Sequence, residues 1–110
     1  MSAPLKFICS LDHPDAWEPL VVEILEFLEK INLTLEDHWI QVAQTKEKFG
    51  ELRFYIDTCP TDRYDEIWGF IDKVTAKSRT MCIICGKEGK MNTKGWWSPY
   101  CKEHFPKEKQ

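Results

Sequence analysis

Apolar positions recur along the chain with two different periods, and the switches between them mark out its elements. Leu5, Phe7, Cys9 and Leu11 alternate with Lys6, Ile8 and Ser10, a weak period-two signal for a short first strand that stops at the turn-forming run Asp12-His13-Pro14-Asp15. From Pro19 the period lengthens. Leu20, Ile24, Phe27, Leu28 and Ile31 share one helical face, with Glu23, Glu26, Glu29 and Lys30 mostly opposite. Pro19 suits the first helical turn, where its missing N–H costs nothing, and Asn32 is a natural stop.

From His38 to Asp57 the period returns to two and predicts a hairpin. Ile40 and Val42 share a face of its first strand, Leu52, Phe54 and Ile56 share a face of its second, and Gly50 supplies the permissive backbone between them. The opposite face is then expected to carry Trp39, Gln41, Ala43 and Thr45 beside Arg53 and Tyr55. Cys59-Pro60-Thr61-Asp62 breaks the strand and offers Thr61 or Asp62 as a helix N-cap, with Asp65 and Glu66 in the first turn. The following helix has an apolar stripe of Tyr64, Ile67, Trp68, Ile71 and Val74, with Lys73, Lys77 and Arg79 toward its C-terminal end, where the dipole favours cations.

That helix runs without a linker into Cys82-Ile83-Ile84-Cys85-Gly86, and after a spacer from Gly86 to Tyr100 comes Cys101-Lys102-Glu103-His104. A two-residue gap lets one tight turn deliver two ligands to the same ion, so Cys82, Cys85, Cys101 and His104 read as a structural Zn2+ site. Sulfur-rich sites also accept iron, which the spacing alone leaves open. The spacer is long enough to run out and back as a short hairpin. The expected architecture is therefore α+β: a small antiparallel sheet, made of the hairpin with or without the N-terminal strand, packed against two helices. A C-terminal zinc-ribbon or treble-clef-like module follows. Residues 1–79 form the body, and residues 80–110 form the metal module packed on it as one unit.

Composition sharpens this picture. At 43% apolar and 13% aromatic, 110 residues suffice for one compact core. The net charge of −3 hides a division: residues 1–72 hold 6 Lys/Arg against 15 Asp/Glu, and residues 73–110 hold 9 against 3. Three bound thiolates and one Zn2+ would leave the metal half positive. An acidic body argues against non-specific duplex binding, which favours proteins basic throughout. Five cysteines do not pair evenly. No charged-then-apolar leader opens the sequence and no apolar run approaches ~20 residues, which predicts a soluble protein of a reducing cytosol, with no membrane role. Cys9 and Cys59 read as small packing groups.

The stretch Gln44-Thr45-Lys46-Glu47-Lys48-Phe49-Gly50-Glu51-Leu52-Arg53-Phe54-Tyr55 resembles a KEKFG-x-LRFY signature of small bacteriophage and prophage proteins. Those relatives follow it with a helix, a CxxCG knuckle, a Gly-Trp segment and a C-x2-H ending, as Cys82–Gly86, Gly95-Trp96 and Cys101–His104 do here. The resemblance spans about residues 38–105. It implies a viral protein acting in the host cytoplasm, in a host–virus or anti-defence role, and implies no particular reaction.

No catalytic constellation stands out. His38 beside Asp37 and His13 beside Asp12 read as surface or capping pairs. Asp57, Asp62, Asp65, Glu66 and Asp72 lack the spacing of a calcium loop. A treble-clef nuclease would need a His-Asn-His centre, which three scattered histidines do not make. A binding protein is expected, not an enzyme, and three ligand classes fit. Lys46, Lys48 and Arg53 beside Trp39, Phe49 and Tyr55 combine cations with flat rings, a composition that suits a nucleotide-type ligand of host immunity. Core or cross-strand packing is the plainer role for Phe49, Phe54 and Tyr55, and pairing with a neighbouring acid the plainer role for Arg53. Trp96, Trp97 and Tyr100 are expected to wall the metal module against the second helix; if exposed, Trp96 and Trp97 become contacts for a host protein, such as an enzyme to be inhibited. Lys87, Lys90, Lys94 and Lys102 could instead hold a specific nucleic acid. The sequence leaves homodimerisation open.

Overall fold

The computed structural model describes residues 6–7, 11–35 and 40–106. Within them the order is β1 (Lys6–Phe7), α1 (Glu18–Asn32), β2 (Gln41–Lys48), β3 (Glu51–Thr58), α2 (Tyr64–Lys77), β4 (Lys90–Asn92) and β5 (Ser98–Tyr100). The fold is α+β, with two helices and two small sheets, ordered β1-β2-β3 and β4-β5. The hairpins β2–β3 and β4–β5 are antiparallel, while β1 joins β2 in parallel. Much of the expected first strand, Cys9 included, lies outside the described residues. Leu11 forms one further parallel bridge, to Thr45.

The helical stripes do what their period demands. Leu20, Val21, Ile24, Leu28 and Ile31 of α1 are buried against Ile67, Ile71 and Val74 of α2 and against Ile40, Val42, Leu52 and Phe54 of the sheet. Phe27 and Phe70 stack across the helix pair at 3.9 Å with planes 8° apart. Asn32 both ends α1 and, fully buried, accepts the Ile40 N–H at 3.1 Å, satisfying a strand-edge donor that would otherwise be desolvated without a partner.

Two local expectations for α2 differ from the structure. Thr61 and Asp62 lie in a 3-10 turn, Thr61–Arg63, and neither caps α2 through its side chain; Arg63 occupies the N-cap position. Tyr64, assigned to the apolar stripe, is 52% exposed and leans on Trp68 at 6.1 Å. Its position at the first residue of the helix lies beyond the reach of the core. Gly69 sits inside α2 with nothing within 4 Å of an added Cβ. Gly69→Ala is therefore expected to stabilise the protein by about 0.5–1 kcal/mol, through the lower helix entropy cost of alanine. Denaturant melts of the two proteins would check this; a destabilised variant would contradict it.

The main correction concerns the hairpin. Strict alternation placed Thr45 on the face opposite the core, yet Thr45 is fully buried. The cause is a register irregularity between Val42 and Gln44, where β2 carries an extra residue relative to β3. A one-residue slip moves every following side chain to the other face. After the bulge Thr45 pairs with Phe54 and turns to the core, whereas Lys46 pairs with Arg53, and Gln44 with Tyr55, on the outer face.

Three contacts fasten the C-terminal segment to this body. The Trp17 indole N–H, in the core, donates to the Met81 carbonyl at 3.0 Å. The knuckle approaches the turn before α1 so closely that a Cβ on Gly86, which has φ 82°, would lie 3.0 Å from the Ala16 carbonyl oxygen. At the other end, a Cβ on Gly50 would lie 2.5 Å from Met91 Sδ and 3.1 Å from the Trp97 carbonyl oxygen. The tips of the two hairpins are thus in contact.

Candidate functional site

The metal-ligand quartet is assembled by two tight turns. Met81 pairs with Glu88 as an isolated antiparallel bridge, and the Gly86 N–H donates to the Cys82 carbonyl at 2.8 Å, closing the loop that presents Cys82 and Cys85. The second pair sits in a turn where the His104 N–H reaches the Cys101 carbonyl at 3.2 Å. The β4–β5 hairpin spans the interval, with Lys90 opposite Tyr100 and Asn92 opposite Ser98, and the Ile83 N–H donates to the Pro99 carbonyl at 2.8 Å.

The four ligand atoms lie within 4.8 Å of one another. Cys85 Sγ is 3.5 Å from Cys101 Sγ, and His104 Nδ1 is 3.2 Å from Cys101 Sγ and 3.6 Å from Cys82 Sγ. A tetrahedral ion with bonds of ~2.3 Å to sulfur and ~2.0 Å to nitrogen separates its ligands by about 3.5–3.8 Å. The cluster is therefore sized to hold a metal ion, with Nδ1 as the histidine ligand. Its thiols are electrostatically unequal. Burial raises the Cys82 thiol, but backbone hydrogen bonds at Cys101, Cys85 and Ile84 outweigh it and bring the pKa down to about 6. Cys101 is lowered in the same way: burial opposes ionisation, and hydrogen bonds at the His104 backbone and side chain and from Cys85 favour it. At Cys85 a backbone hydrogen bond from Lys87 favours ionisation, but burial and the neighbouring thiols together outweigh it and raise the thiol. His104 is raised by hydrogen bonds to Cys101 and Cys82. Two thiols predisposed to ionise are an appropriate start for a thiolate metal site.

The second constellation is the outer face of β2–β3. The bulge brings Lys46, Lys48, Arg53 and Tyr55 together there. Lys46 Nζ stands 5.7 Å above the Tyr55 ring and Lys48 Nζ 5.6 Å above that of Phe49. Arg53 Nη2 is 3.6 Å from Glu51 Oε1, and Arg79 reaches the same carboxylate at 4.0 Å. Arg53 Nε is desolvated and has no hydrogen-bond partner among the described residues. Trp39, assigned to this face from the sequence, lies outside the described residues, as do Asp37 and His38.

The tryptophans depart from expectation. Trp96 and Trp97 do not wall the module against α2; they are 75% and 45% exposed at the β4–β5 tip. With Gly95 and Phe49, itself 61% exposed, they line a cleft of about 520 Å3 between the hairpin tips. The four lysines read as a nucleic-acid contact, Lys87, Lys90, Lys94 and Lys102, are dispersed. Lys90 and Lys102 share a different cleft of about 530 Å3 with Glu88, Tyr100 and Phe105, Lys87 approaches Glu103 at 3.9 Å, and Lys94 lies at the tip.

His13 also differs from the surface role read for it. Its side chain is 5% exposed and bridges Thr45 Oγ1 at 2.8 Å to Glu18 Oε2 at 2.5 Å. The order Thr-His-Glu is that of a nucleophile, base and orienting acid, but Thr45 is wholly buried and its hydroxyl has no access to a substrate. The bridge ties the segment before α1 to β2. Cys59 packs partly buried against the core, and its thiol is raised by burial, away from reactivity. Among the described residues no helix is long and apolar enough to cross a membrane.

Comparison with protein-family models, with curated proteins and with solved structures returns no match for this chain.

Proposed function

We propose that this is a Zn2+-stapled binding protein that captures a nucleotide-type ligand on the outer face of β2–β3. One observation carries the reading: Lys46 stands over the Tyr55 ring and pairs across the hairpin with Arg53, whose side chain is 38% exposed, and Lys48 lies two residues further along the same strand. The exposed part of the Arg53 guanidinium and the two lysines offer charge-assisted donors to phosphate oxygens. Rings beneath cations supply a stacking surface for a base. Zn2+ is favoured for the quartet because one histidine nitrogen and three sulfurs at tetrahedral spacing form a closed set with no position left for chemistry. The phage resemblance supports a setting in the host cytoplasm, where sequestering such a ligand would blunt an immune signal.

A panel of phosphorylated nucleotides tests this reading by thermal melting. A binder present at 100 times its Kd should add about 2.7 kcal/mol of stability, and the ligand should be recovered unaltered on denaturation. No shift with any member would refute it. A protein-contact reading has the exposure of Trp96 and Trp97 in its favour, and its mark would be a stoichiometric host protein lost on Trp96→Ala.

A further inference from the structure

The cleft between the hairpin tips lies at the end of the cationic face, and three observations bear on what fills it. First, Phe49 has φ 55° and Gly50 φ 76°, the backbone of a two-residue type I′ turn, for which Asn-Gly is the low-energy choice. A bulky aromatic in the left-handed region is strained, and strain of this kind collects at functional positions. Because the Phe49 ring is 61% exposed, burial does not repay that strain. Second, Trp96 and Trp97 meet Phe49 there, and the contact of Gly50 with Met91 and the Trp97 carbonyl fixes the separation of the tips. Third, cations interleave the rings: Lys46 covers Tyr55, Arg53 pairs across from Lys46, and Lys48 covers Phe49.

We infer that the ligand is a short oligonucleotide, not a mononucleotide, with one base on Tyr55, another in the Phe49-Trp96-Trp97 cleft, and the connecting phosphates on Lys46, Arg53 and Lys48. Tyr55 and Phe49 are four to five ladder positions apart, roughly 13–16 Å, a separation that suits two bases of an oligonucleotide joined through two or more phosphodiesters. The cleft, at about 520 Å3, falls within the ~300–1,000 Å3 usual for small-ligand sites. Protein interfaces deplete lysine from their centres, whereas here lysines stand over two of the rings, which favours a phosphate-bearing occupant over a protein. This inference rests on the nucleotide reading of the same face and adds the second station.

The test compares thymidine monophosphate with a thymidine tetranucleotide, linear and cyclised, by calorimetric titration of the wild type and of Trp96→Ala, Phe49→Asn and Arg53→Ala. Phe49→Asn suits the turn and keeps the hairpin folded. The tetranucleotide should bind at least about tenfold more tightly than the monophosphate and show the steeper salt dependence of extra phosphate contacts. Trp96→Ala should weaken the tetranucleotide by about fivefold or more and leave the monophosphate unchanged, Phe49→Asn should weaken the tetranucleotide by a similar factor, and Arg53→Ala should weaken both. Preference for the cyclised form would assign the site to a closed signal molecule, and preference for the linear form to a strand segment. Equal affinity for monomer and tetramer, with Trp96→Ala silent, overturns the second station and leaves the single-nucleotide reading standing. If neither ligand binds and Trp96→Ala instead abolishes a stoichiometric complex with a host protein, both readings fall.

Discussion

Stripping the metal with a strong chelator, or replacing Cys82 with alanine, is expected to unfold the segment that follows α2 while leaving the helices and the larger sheet in place. Between Met81 and Pro106 only Cys82, Ser98, Pro99 and Cys101 are buried, so this segment has no apolar core of its own. Ordering its residues costs backbone entropy that a metal ion bound to the quartet would help offset. Without the ion the balance turns against order. The β4–β5 amides should collapse toward random-coil shifts in an amide-correlation spectrum, and proteases should cut between Gly86 and Trp97. The pH dependence has a definite sign. The Cys82 thiol is held at about 6, below its free value of ~8.5. In the metal-free fold its contribution is therefore complete at high pH and is lost as pH falls through about 6. Elemental analysis should find one Zn2+ per chain. A protein that keeps its β4–β5 signals after complete chelation would refute the staple.

Trp17→Ala is expected to cost about 3–5 kcal/mol, the largest loss of any single core truncation here. Trp17 is completely buried, and its indole N–H also holds the Met81 carbonyl at the entrance to the knuckle. Trp17→Phe separates the two roles. It retains most of the apolar area but leaves the Met81 carbonyl desolvated without a donor, and should cost about 1–3 kcal/mol. Urea denaturation would give both values, and metal affinity measured by competition with a chromophoric chelator should fall with either change. A Trp17→Ala variant as stable as wild type would show that the core closes without this residue.

Much of the framework is legible locally. Periods of 3.6 in residues 20–31 and 67–74 and of two in residues 52–56 produce helices and a strand because one face of each must be buried. The Cys82, Cys85, Cys101 and His104 spacing brings four ligands together because each pair is delivered by one tight turn. The Phe-Gly pair at residues 49–50 was the available signal for the tip cleft: an aromatic where a type I′ turn prefers asparagine marks a residue selected for something other than the turn. Arg79, which joins Arg53 at Glu51, gave no such signal, since its place depends on the end of α2 passing the start of β3.

Local patterning was enough for the elements, the Cys82, Cys85, Cys101 and His104 quartet and the cations and rings that crowd the Lys46–Tyr55 stretch. Which of them share a surface depended on long-range packing. The β2 bulge sent Thr45 inward to His13 and placed Lys46 with Arg53, and the docking of Met91 against Gly50 carried Trp96 and Trp97 to Phe49 instead of to α2. Both follow from the same limit. Periodicity records the burial demand of each element alone, whereas strand register and the contact of distant hairpins are set by packing between residues tens of positions apart.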